Sequence, residues 1–148
     1  MWLKILLAVV LTLALAQAIP CAQSNPPVTG DLAASSAVKS VLRDACYDCH
    51  SNETSWPWYS KLAPASWLAH YDVTEGRKRL NFSRWDTYAD DPGTLIQKLE
   101  NIQKSIGAED MPPWYYRLVH PKSGLSESQR DTVSRWATAK LTASHSSH

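Results

Sequence analysis

The sequence predicts an all-α domain. Four segments carry apolar residues at helical spacing, and their ends carry capping residues. No stretch alternates apolar and polar residues as a half-buried strand would, and no internal repeat is visible. At 148 residues, with 44% hydrophobic and 20% charged residues, the chain is sized for a single ordinary domain.

The first element is a targeting segment, residues 1–18, read as a signal peptide or an N-terminal membrane anchor. Lys4 is its only charge, Ile5 to Ala16 is apolar apart from Thr12, and Ala16-Gln17-Ala18 fits a small-x-small cleavage site. The apolar run is near the lower limit for crossing a bilayer and Pro20 breaks it, which favours cleavage after Ala18 over retention. Ala18-Ile19-Pro20 is a poor approach to a lipid-modified Cys21. In either case the remainder is expected to be exported, with Lys4 on the cytoplasmic side.

Residues 19–31, including QSNPPVTG from Gln23 to Gly30, read as a Pro-rich linker that removes Cys21 from the fold. The globular domain is expected over 32–142, with a small, polar, flexible tail over 143–148. Within the domain, Ala34, Ala37, Val38, Val41, Leu42 and Ala45 mark a first helix. Pro64 opens a second, with Trp67, Leu68 and Tyr71 on one face and Gly76 near its end. Asp91 caps a third, Pro92 occupies its first turn, Leu95, Leu99, Ile102 and Ile106 form its stripe, and Gly107 stops it. Ser126 to Gln129 reads as a capping box for the last helix, whose apolar face is Val133, Trp136, Ala137 and Leu141.

Charge excludes one large class of partner. Fifteen basic residues face 14 acidic ones, a formal +1. Removing the segment up to Ala18 takes Lys4 and no acid, which balances the mature chain. With no basic excess to neutralise phosphates, nucleic acid is not an expected partner.

Three cysteines occur, and two of them lie in Cys46-Tyr47-Asp48-Cys49-His50. C-x-x-C-H is the attachment pattern of c-type haem. Two thiols three positions apart, just after a helix, can add to both vinyl groups of one porphyrin, and the adjacent imidazole reaches the iron. A thioredoxin-like dithiol needs a βαβ setting, which this sequence lacks. A zinc site needs four ligands, and only Cys46, Cys49 and His50 cluster. A disulfide between residues this close would close a very short loop and stabilise little. Export agrees with covalent haem, which is attached outside the cytoplasm.

A second axial ligand must come from elsewhere. Met111 is the only methionine besides the initiator, and it lies in Gly107-Ala-Glu-Asp-Met111-Pro112-Pro113. It is off every helical stripe, in a loop stiffened by prolines, so core packing explains it poorly. His/Met ligation is a standard haem arrangement. The rivals are His70, within the second helix, and His120, before Pro121; His145 and His148 read as solvated tail residues.

Cys46 to Trp58 (CYDCHSNETSWPW), Tyr59-Ser60, Glu75-Gly76-Arg77, Leu80-Asn81-Phe82-Ser83, Met111 to Tyr115 (MPPWY) and His120-Pro121 together resemble the bacterial haem-binding domain family of small exported c-type cytochromes. The resemblance runs from about Asn25-Pro26 to the last helix. In element order the chain is also similar to class I cytochromes c: helix, haem motif, Met loop, C-terminal helix. The resemblance implies a cytochrome c-like helical domain around one covalent haem c on Cys46 and Cys49, with His50 proximal and Met111 distal. It implies a periplasmic location, and relatives that keep the N-terminal segment point to a membrane tether.

Seven Trp and six Tyr accompany a single Phe. Trp56, Trp58, Tyr59 and Trp67, and Trp114, Tyr115 and Tyr116, are candidate linings for a macrocycle. Arg77, Lys78 and Arg79 are candidate partners for haem propionates, and Pro57 or Pro64 for the carbonyl that binds the other nitrogen of His50. The expected function is one-electron transfer between redox proteins that dock transiently, rather than catalysis. The alternative is a haem enzyme or sensor, of peroxidase or gas-binding type, with a dissociable distal ligand.

Overall fold

The computed structural model describes residues 1–146, with side chains to Ser144; the His145 side chain and His148 lie outside the described residues. Among the described residues eight α-helices follow one another: α1 (Trp2–Ala16), α2 (Ser36–Ala45), α3 (Tyr47–His50), α4 (Ala65–Arg79), α5 (Asp86–Ala89), α6 (Pro92–Gly107), α7 (Trp114–Val119) and α8 (Glu127–Ser146). Two 3-10 turns, Trp58–Lys61 and Pro121–Ser123, complete the regular structure. No strand occurs among the described residues; Gly30 and Arg84 form an isolated bridge. The all-α expectation holds.

The long helices start where the sequence says they should. Ser35 caps α2 by accepting from the Val38 N–H, and Asp91 caps α6 by accepting from the Gly93 N–H. At α8 the box is reciprocal: Gln129 Oε1 accepts from the Ser126 N–H, and Ser126 Oγ from the Gln129 N–H. Helix α6 packs on α8, and α2 packs on α8 and α3. Their stripes meet in one core containing Val38, Leu42, Leu99, Ile102, Val133 and Ala137, closed by Leu32. Through it runs an aromatic stack in which Tyr47 lies on Phe82, Phe82 on Trp85 and Trp85 against Trp136.

Four expectations need correction. Gly107 is the last residue of α6 rather than its stop; the chain turns at Glu109, whose φ is 56°. Helix α4 does not bury Trp67, Leu68 and Tyr71 as one face. It buries Ser66, Val73 and Gly76, and Leu68 and Tyr71 are exposed, because a small-residue face is what lets it approach α3 closely. Helix α8 continues through 143–146, where fraying was expected.

The fourth correction concerns the Pro-rich segment, which has no helix but is not detached. Gln23 donates to the Ser60 carbonyl, Asn25 to the Thr54 carbonyl, and Asn52 to the Pro27 carbonyl. Arg77 donates to the Ser24 carbonyl and to Asn25 Oδ1. The segment is a strap along the domain, and the half-buried Cys21 lies within it. Helix α1 precedes the strap with no buried residue, and no helix among the described residues is long and apolar enough to cross a membrane.

Candidate functional site

The Cys46–His50 motif occupies the turn between α2 and α4. Cys46 ends α2, its N–H bonded to the Leu42 carbonyl, and its own carbonyl accepts from Cys49 and His50, which winds the motif into α3. All three functional side chains are thereby placed on one short helical turn. A buried polar network holds the turn in place. Asn52 donates its N–H to Ser83 Oγ, Asn81 donates to Asn52 Oδ1, and Phe82 donates its N–H to the His50 carbonyl. Sequence reasoning missed Asn52, Asn81 and Ser83; the signal was polar residues in two segments that fit no helical stripe.

Helix α4 lies against the motif at a distance only glycine allows. A Cβ at Gly76 would stand 2.4 Å from the Cys49 carbonyl oxygen. That approach brings the last turn of α4 to His50, whose Nδ1 lies 3.0 Å from the Gly76 carbonyl and 3.1 Å from the Leu80 carbonyl. Against two carbonyls Nδ1 can only donate, so the neutral ring keeps its proton there and Nε2 has a free lone pair. Burial moves the His50 pKa down, opposed by these two bonds, and so favours the neutral ring that coordinates metals. Pro57 and Pro64 do not supply this acceptor; α4 does.

Burial pushes the Cys46 thiol up to about 12, and burial with the Asp72 and Asp48 carboxylates does the same for Cys49. Both thiols stay protonated, unlike a redox dithiol, whose attacking sulfur is a thiolate. No group of three or more His, Cys, Asp or Glu side chains able to hold a metal ion occurs among the described residues.

Of the cavities that border the motif, two reach both His50 and Met111. One, of about 220 Å³, lies between α3, α4 and the Met111 loop; the other, of about 480 Å³, is lined from α2, α4 and α6. Cys46, His50, Arg79 and Met111 line both. The rival histidines line neither. His70 Nδ1 binds the Ala22 carbonyl of the strap, and His120 stacks on Tyr116 at 4.1 Å while Tyr59 reaches its ring. Of the three basic residues at the end of α4, only Arg79 faces these cavities. Arg77 is engaged with Ser51, Thr54 and the strap, and Lys78 pairs with Glu75.

The Met111 loop is fixed from its far side. Helix α7 is tied to α4 by Tyr115, which donates to Asp72 at 3.1 Å, and to α3 by Tyr116, which donates to Asp48 at 2.6 Å. Burial raises the pKa of both tyrosines and of Asp72, consistent with a poorly solvated junction. Of the predicted aromatic lining, Tyr115 and Tyr116 border the smaller cavity. Trp56, Trp58 and Tyr59 line a third cavity, which shares Asp48, Cys49, Asp72, Tyr115 and Tyr116 with the smaller one, and Trp114 is exposed.

These residues fit a haem: two unpaired thiols, an imidazole with its spare nitrogen fixed, and a thioether face common space. A family model described as a haem-binding domain matches residues 5–139. The chain belongs to the haem-binding domain family. The match includes most of α1 as well as the strap, the motif, the Met111 loop and most of α8. Within this haem-binding protein, His50 and Met111 line the same two cavities. No curated protein and no solved structure matches the chain.

Proposed function

We propose that this haem-binding protein is an exported c-type cytochrome that carries electrons singly between redox partners. Cys46 and Cys49 would hold one haem c through thioethers, and His50, through Nε2, and Met111 would be the ligands to its iron. The bound group would supply an iron that alternates between ferrous and ferric states. The observation that carries the reading is that His50 and Met111 line the same two cavities, whereas His70 and His120 are engaged elsewhere.

What the chain contributes is fixed coordination. The Gly76 and Leu80 carbonyls orient His50, and the two Tyr–Asp bonds hold the loop that presents Met111. A pair of fixed axial ligands leaves no open position for substrate, and Met ligation raises the reduction potential. Among the described residues, His50 is the one His that lines either cavity. The apolar α1 and its Ala16-Gln17-Ala18 end support export, and a family match that reaches into α1 supports a tether by that helix. Partners would be redox proteins that dock transiently.

Exposure of the purified ferrous protein to carbon monoxide, beside a haem-stained denaturing gel, tests the reading. An electron carrier keeps its ferrous spectrum and gives a stained band that the Cys46→Ala/Cys49→Ala variant lacks. Ready carbon monoxide binding would favour the enzyme or sensor reading, and a stained band in the double variant would overturn covalent attachment.

A further inference from the structure

Exposed apolar surface on this domain is not scattered. Beyond the strap, every exposed large apolar side chain among the described residues lies in 58–71 or 114–119, and none lies on α2, α6 or α8. Trp58 is 76% exposed, Leu62 50%, Trp114 67%, Leu118 72% and Val119 59%. Such concentration marks a surface that something covers. Leu62, Trp114 and Leu118 line none of the three cavities, so the surface extends beyond the haem site.

The two segments are neighbours. Trp58 and Val119 border the same cavity, and the Tyr59 and His120 ring centroids stand 5.9 Å apart. Helix α7 turns Tyr115 and Tyr116 inward to Asp72 and Asp48. That leaves Trp114 and Leu118, one helical turn apart, together on its outer side.

Charge and α1 identify what covers it. Residues 54–71 and 111–126 contain no Asp or Glu, and Lys61, Arg117 and Lys122 stand among the apolar side chains. Tryptophan and leucine beside lysine and arginine suit the headgroup layer of an anionic bilayer. Aromatic residues also serve protein interfaces, and here α1 favours lipid. It is apolar, it has no buried residue, and Gln17 at its end donates to the Ala63 carbonyl at 3.2 Å and accepts from the Ala63 N–H at 3.0 Å. An apolar helix without a protein partner is therefore joined to the residue after Leu62. A bilayer that takes up α1 meets this face.

We propose that the face formed by Trp58, Leu62, Trp114, Leu118 and Val119 lies on an anionic phospholipid bilayer, with its apolar side chains in the headgroup layer and Lys61, Arg117 and Lys122 against lipid phosphates. The inference rests on the exported reading for the presence of a bilayer. It goes beyond a tether, which needs α1 alone and lets the domain swing, whereas a docked face holds the domain in one orientation.

The test is photo-cross-linking of the full-length haem-loaded protein in vesicles of phosphatidylglycerol and phosphatidylcholine, with a diazirine near the headgroup of the phosphatidylcholine and the labelled residues mapped by mass spectrometry. Labelling is expected on 58–62 and 114–119 as well as on α1, and not on the exposed positions of α6 and α8. The double variant Leu62→Asp/Leu118→Asp should lower labelling of the face at least about threefold, with α1 labelling and the haem spectrum unchanged. Vesicles of phosphatidylcholine alone should lower it as well, since the basic residues then lose their phosphate partners. If the double variant does not fold, the wild-type map decides alone. Labelling confined to α1 would overturn the proposal in favour of a protein partner at this face and leave the tether standing. Labelling of the face without α1 would uphold the proposal and tell against the tether. Labelling spread evenly over the domain, or unchanged labelling of the face in the folded double variant, would also overturn the proposal.

Discussion

Gly76 touches the haem motif twice: its Cα packs where a Cβ would stand 2.4 Å from the Cys49 carbonyl oxygen, and its own carbonyl accepts the Nδ1 proton of His50 at 3.0 Å. One residue therefore sets both how closely α4 approaches the motif and which way the imidazole faces.

Gly76→Ala should destabilise the protein. Alanine gains about 1 kcal/mol of helix propensity over glycine, but overpacking against backbone costs about 1–3 kcal/mol, and backbone cannot rotate away. A net loss of up to about 2 kcal/mol in urea unfolding is expected, together with a perturbed haem spectrum as His50 shifts. Equal or greater stability would show that α4 has room to move.

Arg77 clamps the strap to the motif: its Nε donates to the Ser51 carbonyl at 2.7 Å, and its other nitrogens reach Ser24, Asn25 and Thr54. Arg77→Lys keeps the charge but loses the fork, so it should cost about 2 kcal/mol and release the strap. Hydrogen exchange should quicken over residues 22–28 and stay unchanged in α6 and α8. Uniform exchange across the chain would contradict the clamp.

Tyr116→Phe removes the bond to Asp48 that ties α7 to α3. Hydrogen bonds to charged groups are worth about 1.5–3 kcal/mol, and this one holds the far end of the Met111 loop. The variant should show a lower reduction potential and a partial high-spin fraction, which a purely structural loss would not produce. An unchanged potential would mean that the loop is held from the α6 side alone.

What the sequence discloses and what it hides follow from range. The stripes of α2, α6 and α8 and their Ser35, Asp91 and Ser126 caps are local patterns, and each is where periodicity and capping put it. Cys46, Cys49 and His50 are adjacent in the chain, so their common turn is legible too, and Met111 stands out by being off any stripe. The acceptors of His50 were not legible, because backbone carbonyls have no residue signature and Gly76 and Leu80 reach the ring only through the packing of α4 on α3. The strap was read as a linker because its prolines forbid helix, yet the bonds at Gln23, Asn25 and Pro27 reach residues far along the chain. Arg77 was misassigned for the same reason: charge is visible in a sequence, and its partners are not.

The most direct test of His50 and Met111 as a ligand pair is the spin state of the oxidised iron in wild type and Met111→Ala, read by optical and electron paramagnetic resonance spectra. The wild type is expected to be six-coordinate and low spin, and Met111→Ala to become high spin with a lower reduction potential as the axial thioether is lost. A high-spin wild type, or a Met111→Ala variant with an unchanged spectrum and potential, would contradict the assignment of Met111.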